Sequence, residues 1–144
     1  MNIYNSNQIK LFVYDFDGQN WNVRDIPLIP TQRGGNAHSI PKMTGDGNHI
    51  ISHWRGQGVV VYAKTENGSF VMKGTPLFNE KIENGNYDGI TSDLSANGNR
   101  LYVGTGRGSQ FHPGVFSSTV ELYDFEDGDW NHVHTFTRNQ GWYD

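Results

Sequence analysis

The sequence predicts an all-β fold, and three observations carry the prediction. The chain repeats itself: Met43-Thr44-Gly45-Asp46-Gly47-Asn48-His49-Ile50-Ile51-Ser52 returns 51 residues later as Leu94-Ser95-Ala96-Asn97-Gly98-Asn99-Arg100-Leu101-Tyr102-Val103. A second unit occurs three times: Tyr14-Asp15-Phe16-Asp17-Gly18 to Trp21, Tyr62 to Asn67-Gly68-Ser69-Phe70, and Tyr123-Asp124-Phe125-Glu126-Asp127-Gly128 to Trp130. Asx-Gly dipeptides separate segments of strand composition, while helical periodicity is weak throughout. Repeats of this kind belong to radial or stacked β architectures, whose units cannot bury their own faces alone.

The elements follow in order. Ile9 to Phe16 and Asn20 to Ile26 flank Asp17-Gly18. Residues 27–38 read as a loop, with Pro27, Pro30 and Gly34-Gly35. Ser39 to Met43 and Asn48 to Trp54 flank Gly45-Asp46-Gly47. Val59 to Lys64 and Ser69 to Gly74 flank Asn67-Gly68, and residues 75–89 form a polar connection. Ile90 to Leu94 and Asn99 to Gly104 flank Ala96-Asn97-Gly98, and residues 105–117 read as a Gly-rich loop. Thr119 to Phe125 and Asp129 to Phe136 flank Asp127-Gly128. The result is about ten strands in five hairpins, each closed by a dipeptide that favours left-handed turn geometry. Ile50 and Ile51 are both apolar, so their strand does not alternate cleanly; a strand packed on both faces has this pattern.

The composition agrees. Aromatic residues reach 13% while all hydrophobic residues total only 35%, so burial falls to Trp, Tyr and Phe on short strands. A net charge of −4 without a basic block argues against nucleic acid and against an anionic membrane surface as partners. Cysteine is absent, which excludes disulfides and thiolate metal sites. No apolar run is long enough to cross a membrane as a helix, and no signal peptide is visible at the N-terminus.

Leu94-Ser95-Ala96-Asn97-Gly98-Asn99-Arg100, Val103-Gly104 and Val120-Glu121-Leu122-Tyr123 up to Trp130 resemble the integrin-alpha-like (FG-GAP-like) β-propeller repeat. The match is best over residues 93–133. In the unit from 43 to 70, His49 stands for Arg100 and Phe70 for Trp130. The resemblance implies one β-propeller-like domain over 1–144, with a half blade at 9–26 and four-stranded antiparallel blades at 36–74 and 87–137. A propeller needs about four blades or more, and roughly two and a half are present. The resemblance therefore implies a larger protein or an assembly of copies. Calcium-binding members carry several carboxylates in one loop. Here Asp46 stands nearly alone and its counterpart is Asn97, so calcium is not carried over.

The candidate chemistry is weighed residue by residue. His49 with His53, and His132 with His134, have the spacing of half a metal site, but no third ligand stands at a fixed offset. Gly104-Thr105-Gly106-Arg107-Gly108 is glycine-rich, yet Phe111-His112-Pro113-Gly114 does not open the helix a dinucleotide site requires. Its loop is the better candidate for partner contact, through Arg107, Gln110, Phe111 and His112. Asp15, Asp17, Asp124, Glu126, Asp127 and Asp129 invite comparison with a glycosidase carboxylate pair, although tight turns require the same residues. Trp21 and Trp130 either stack on sugars or plug the space between sheets, and Trp142 is a candidate docking residue.

No catalytic set converges and no cofactor or metal is expected. The expected role is a non-catalytic interaction or structural module, self-associating or built into a surface or virion-type assembly rather than a cytoplasmic one. The alternatives are a carbohydrate-binding lectin, a propeller-type glycoside hydrolase fragment and a calcium-dependent adhesion fragment.

Overall fold

The computed structural model describes residues 11–26, 41–54, 58–77, 89–107 and 115–141. These form strands and turns, with no helix among them. β1 (Leu11–Phe16) and β2 (Trp21–Ile26) make a two-stranded sheet. β3 (Lys42–Met43), β4 (His49–Trp54), β5 (Gly58–Lys64) and β6 (Phe70–Met72) make a four-stranded sheet in sequence order. β7 (Gly89–Leu94), β8 (Arg100–Arg107), β9 (Val115–Glu126) and β10 (Asp129–Gly141) make a second one. All pairings are antiparallel between neighbours in the chain.

Two apolar clusters join the three sheets. Val13 and Ile26 of the first hairpin pack with Ile50, Val60, Tyr62 and Phe70 of the middle sheet. Ile51, Val59 and Val61, on the opposite face of the middle sheet, pack with Leu101, Val103 and Trp130 of the third. Consecutive strand residues point to opposite faces, so Ile50 serves one interface and Ile51 the other. The unclean alternation of β4 thus reflects burial on both sides.

Four of the five Asx-Gly turns fall into two kinds; in the fifth, at Asp17-Gly18, the Asp17 carboxylate accepts the N–H groups of Gln19 and Asn20 with no hydroxyl involved. At Asp127-Gly128 both central residues are left-handed, with φ of 53° and 86°, as a two-residue hairpin turn of the right twist demands. In three others only the glycine is left-handed: Gly47, Gly68 and Gly98, at φ of 72°, 82° and 70°. There a hydroxyl, not a left-handed Asx, sets the geometry. Thr44, Thr65 and Ser95 each donate to the Asx side chain two residues on, at 2.6–2.7 Å. The same Asx oxygen accepts the N–H of Asn48, Ser69 or Asn99, and the glycine N–H closes back onto the hydroxyl residue's carbonyl. The motif is Ser/Thr-x-Asx-Gly, an Asx-turn locked by a hydroxyl.

The expected loop at 105–117 is corrected at both ends. Thr105, Gly106 and Arg107 continue β8 and pair with Thr119, Ser118 and Ser117 of β9. Gly104 is a strand residue chosen for close approach: a Cβ there would meet Thr91 Cγ2 at 2.7 Å. β10 likewise runs on to Gly141, beyond the expected end at Phe136.

Candidate functional site

The aromatic that follows each hairpin turn occupies one register position in all three sheets. Trp21 pairs with Phe16, Phe70 with Lys64, and Trp130 with Phe125. The outcome differs from sheet to sheet. Phe70 is buried against the first hairpin. Trp130 is only 8% exposed and packs on Phe125, with ring centroids 5.1 Å apart. Its indole N–H donates to the Lys73 carbonyl at 2.9 Å. Trp21 also packs on a phenylalanine, Phe16, again at 5.1 Å, yet it is 68% exposed. Phe12, Tyr14 and Val23 lie on the same face of that hairpin and are exposed as well. The bare face of the first hairpin is therefore contiguous and aromatic.

Lys73 is the residue that the sequence did not single out. Its ammonium reaches from the middle sheet to the third, donating to the Gly98 carbonyl at 2.6 Å and to Asn99 Oδ1 at 2.7 Å. It also lies 4.4 Å from the Phe125 ring centroid and 5.9 Å from that of Trp130. Burial lowers its pKa from the usual lysine range. Arg24 holds the matching place one sheet earlier: it pairs with Asp15 at 2.8 Å, and its guanidinium crowds Gly68 of the middle sheet. The signal was available, because Arg24 and Lys73 each stand three residues after the repeated aromatic.

Asp15, Asp17, Asp46, Asp124 and Asp129 each have a structural partner, Asp15 in Arg24. Asp17 accepts the N–H groups of Asn20 and then Gln19, which lower its pKa. Asp124 takes a two-pronged contact from Arg100 at 2.6 and 2.7 Å. Asp129 accepts the Thr75 N–H at 2.7 Å and its hydroxyl at 3.0 Å, tying the third sheet to the segment after β6. In the turn at 44–48, Asp46 is engaged by the Thr44 hydroxyl and by Asn48, which bring its pKa down to about 2.

The two histidine pairs fare differently: His49 and His53 stay on one face of β4, opposite Ala63 and Val59, while His132 and His134 separate. A bulge between His132 and His134 puts His132 opposite Tyr123 and His134 opposite Leu122, on opposite faces of the sheet. The expected i, i+2 pairing of His132 with His134 on one face is thus corrected. His132 bonds Thr135 at 2.8 Å, and His134 stacks edge-on against Phe136. His49 seats its imidazole over Gly98 of the third sheet. No group of three His, Asp or Glu side chains gathers among the described residues.

Of the expected contact residues, the backbone of Arg107 lies in β8, and its side chain is outside the described set. Gln110, Phe111, His112 and Trp142 lie outside the described residues. The geometry thus brings Trp21, Phe16 and Tyr14 together on an open face and locks Trp130 inside the chain. No family model, curated protein or solved structure matches this chain.

Proposed function

We propose that the chain is a non-catalytic interaction and structural module, a segment of a β-propeller-like assembly that works by adding further sheets onto its open faces. One observation carries the reading. The face bearing Trp21 is bare in the first hairpin, whereas the same face is covered by the preceding sheet in the second and third. A contiguous exposed aromatic patch of this kind marks an interaction surface. The FG-GAP-like resemblance supports the same role, and a surface or virion-type assembly is its expected setting. Sedimentation across a concentration series tests it: the mass is expected to rise with concentration. A compact monomer at every concentration rejects the reading.

The exposure of Trp21 beside Phe16 and Tyr14 favours one second reading, carbohydrate binding. Sugar rings stack on such platforms. Saturable quenching of tryptophan fluorescence by a sugar, lost in Trp21→Ala, is the outcome that selects it.

A further inference from the structure

The identity of the partner follows from the register of the repeat, and it rests on the assembly role proposed above. Tyr14, Tyr62 and Tyr123 are equivalent, and hairpin pairing aligns Arg24, Lys73 and His134 in the same way. Val13 faces Arg24, Lys73 N–H bonds the Val61 carbonyl, and His134 faces Leu122. Each sheet thus has two distinct faces. The face with the Tyr and the post-turn aromatic meets the preceding sheet. The face with Val13, Val61 or Leu122 meets the following sheet, and the basic residue reaches out from it.

Both internal interfaces obey this rule. Val13 lies against Tyr62 and Phe70. Val61 lies in one cluster with Trp130, and Tyr123 packs against it. Lys73 of the middle sheet caps the Phe125–Trp130 ring pair of the third. Two faces of the stack are left over, and they are of opposite kind. The first hairpin presents Phe12, Tyr14, Phe16, Trp21 and Val23. The third sheet presents Tyr102, Val120, Leu122, His134 and Phe136 on the face away from the core. Of these, Tyr102, Val120, His134 and Phe136 are exposed.

We propose that a second copy of this chain fills the gap, stacking head to tail so that the third sheet of one copy covers the first hairpin of the next. His134 then takes the place of Lys73, above the Phe16–Trp21 pair, which has the same 5.1 Å separation as Phe125–Trp130. The five side chains of the hairpin face still have roughly 500–600 Å² to bury, against about 800 Å² per partner in a standard interface. The contact is heterologous, so it propagates to a ring or a filament and does not stop at a two-fold dimer.

The lack of cysteine makes the test clean, since introduced thiols have no competitors. Tyr14→Cys and Tyr102→Cys, each at an exposed position, are prepared separately and mixed with a short thiol cross-linker. Circular dichroism checks that both fold. A covalent dimer is expected in the mixture and not in either variant alone. The double variant is expected to give a ladder. Cross-linking of one variant with itself overturns the head-to-tail contact while leaving self-association intact. An oligomeric wild type whose mixed variants stay uncoupled does the same. A monomeric wild type overturns both readings, in favour of glycan binding where sugars quench Trp21. His134→Lys, which copies Lys73, is expected to raise the cross-linked fraction about two- to fivefold. No gain overturns the assigned register.

Discussion

Lys73 and Trp130 hold each other from two directions. The backbone carbonyl of Lys73 accepts the indole N–H at 2.9 Å, while the ammonium of the same residue lies 5.9 Å from the indole ring centroid. One residue thus satisfies the polar edge of Trp130 and addresses its π face. The second and third sheets are clamped at this point.

Lys73→Met keeps the aliphatic stem and removes the charge. It costs two charge-assisted hydrogen bonds and the contact with Phe125 and Trp130. The expected loss is about 1.5–3 kcal/mol. Trp130→Ala opens the second cluster and is expected to cost about 3–5 kcal/mol. Trp21→Ala, at the equivalent but exposed position, is expected to change monomer stability far less. Chemical denaturation at low protein concentration measures all three.

Gly98 and Gly128 separate backbone strain from crowding. Both have left-handed φ, but a Cβ at Gly128 meets open space, while one at Gly98 drives into the His49 imidazole. Gly128→Ala is expected to cost about 1–2 kcal/mol from conformation alone. Gly98→Ala is expected to cost clearly more, and His49→Ala in the same chain to return part of the excess. A double-mutant cycle reads that coupling.

Asp46 and His49 shape the acid limb of stability. The Thr44 hydroxyl, and then Asn48, hold the Asp46 pKa down to about 2. A carboxylate with a depressed folded pKa stabilises above its unfolded value, near 4, and loses that contribution as pH falls toward 2. Burial, and then Lys73, lower the His49 pKa, with Asp46 opposing them. Protonating His49 therefore favours the unfolded chain, and stability declines as pH drops below the usual histidine value. Asp46→Asn copies the turn built on Asn97 and is expected to keep the fold while flattening the lowest part of the profile. Denaturation midpoints from pH 2 to 8 check both signs.

Arg100 and Asp124 make a two-pronged contact on the solvent side of the third sheet. Exposed pairs of this kind gain little against hydration and are screened by salt. Replacing either partner with Ala is expected to cost less than Lys73→Met, and added salt to erase the difference from wild type. A salt series of unfolding curves decides it.

The strand order and hairpin pairing were legible because Asx-Gly dipeptides sit between segments of β composition. The dipeptide marks a turn, and the hydroxyl two residues earlier marks which turn, as Thr44, Thr65 and Ser95 demonstrate. Gly106 misled, and the correctly read Gly104 beside it shows the physical reason. Glycine serves a loop by its freedom and a strand by its thinness, and Gly104 is the second case. The bulge at Val133 leaves no mark in the sequence, so the facing of His132 and His134 could not be read. Nor could the fates of Trp21 and Trp130, which share spacing and neighbours. Their difference lies in whether another sheet precedes them.

The central strands of the middle sheet, β4 and β5, have no solvent side. Ile50, Val60 and Tyr62 are sealed by one neighbour, and Ile51, Val59 and Val61 by the other. Disorder therefore enters from the outer layers. Amide protons of β4 and β5 are expected to exchange last, through global opening, whereas those of β1 and β2 exchange through local fraying. Fastening another layer onto the first hairpin would turn that fraying margin into an interior one, so growth of the stack would slow exchange at its ends before it altered anything at its centre.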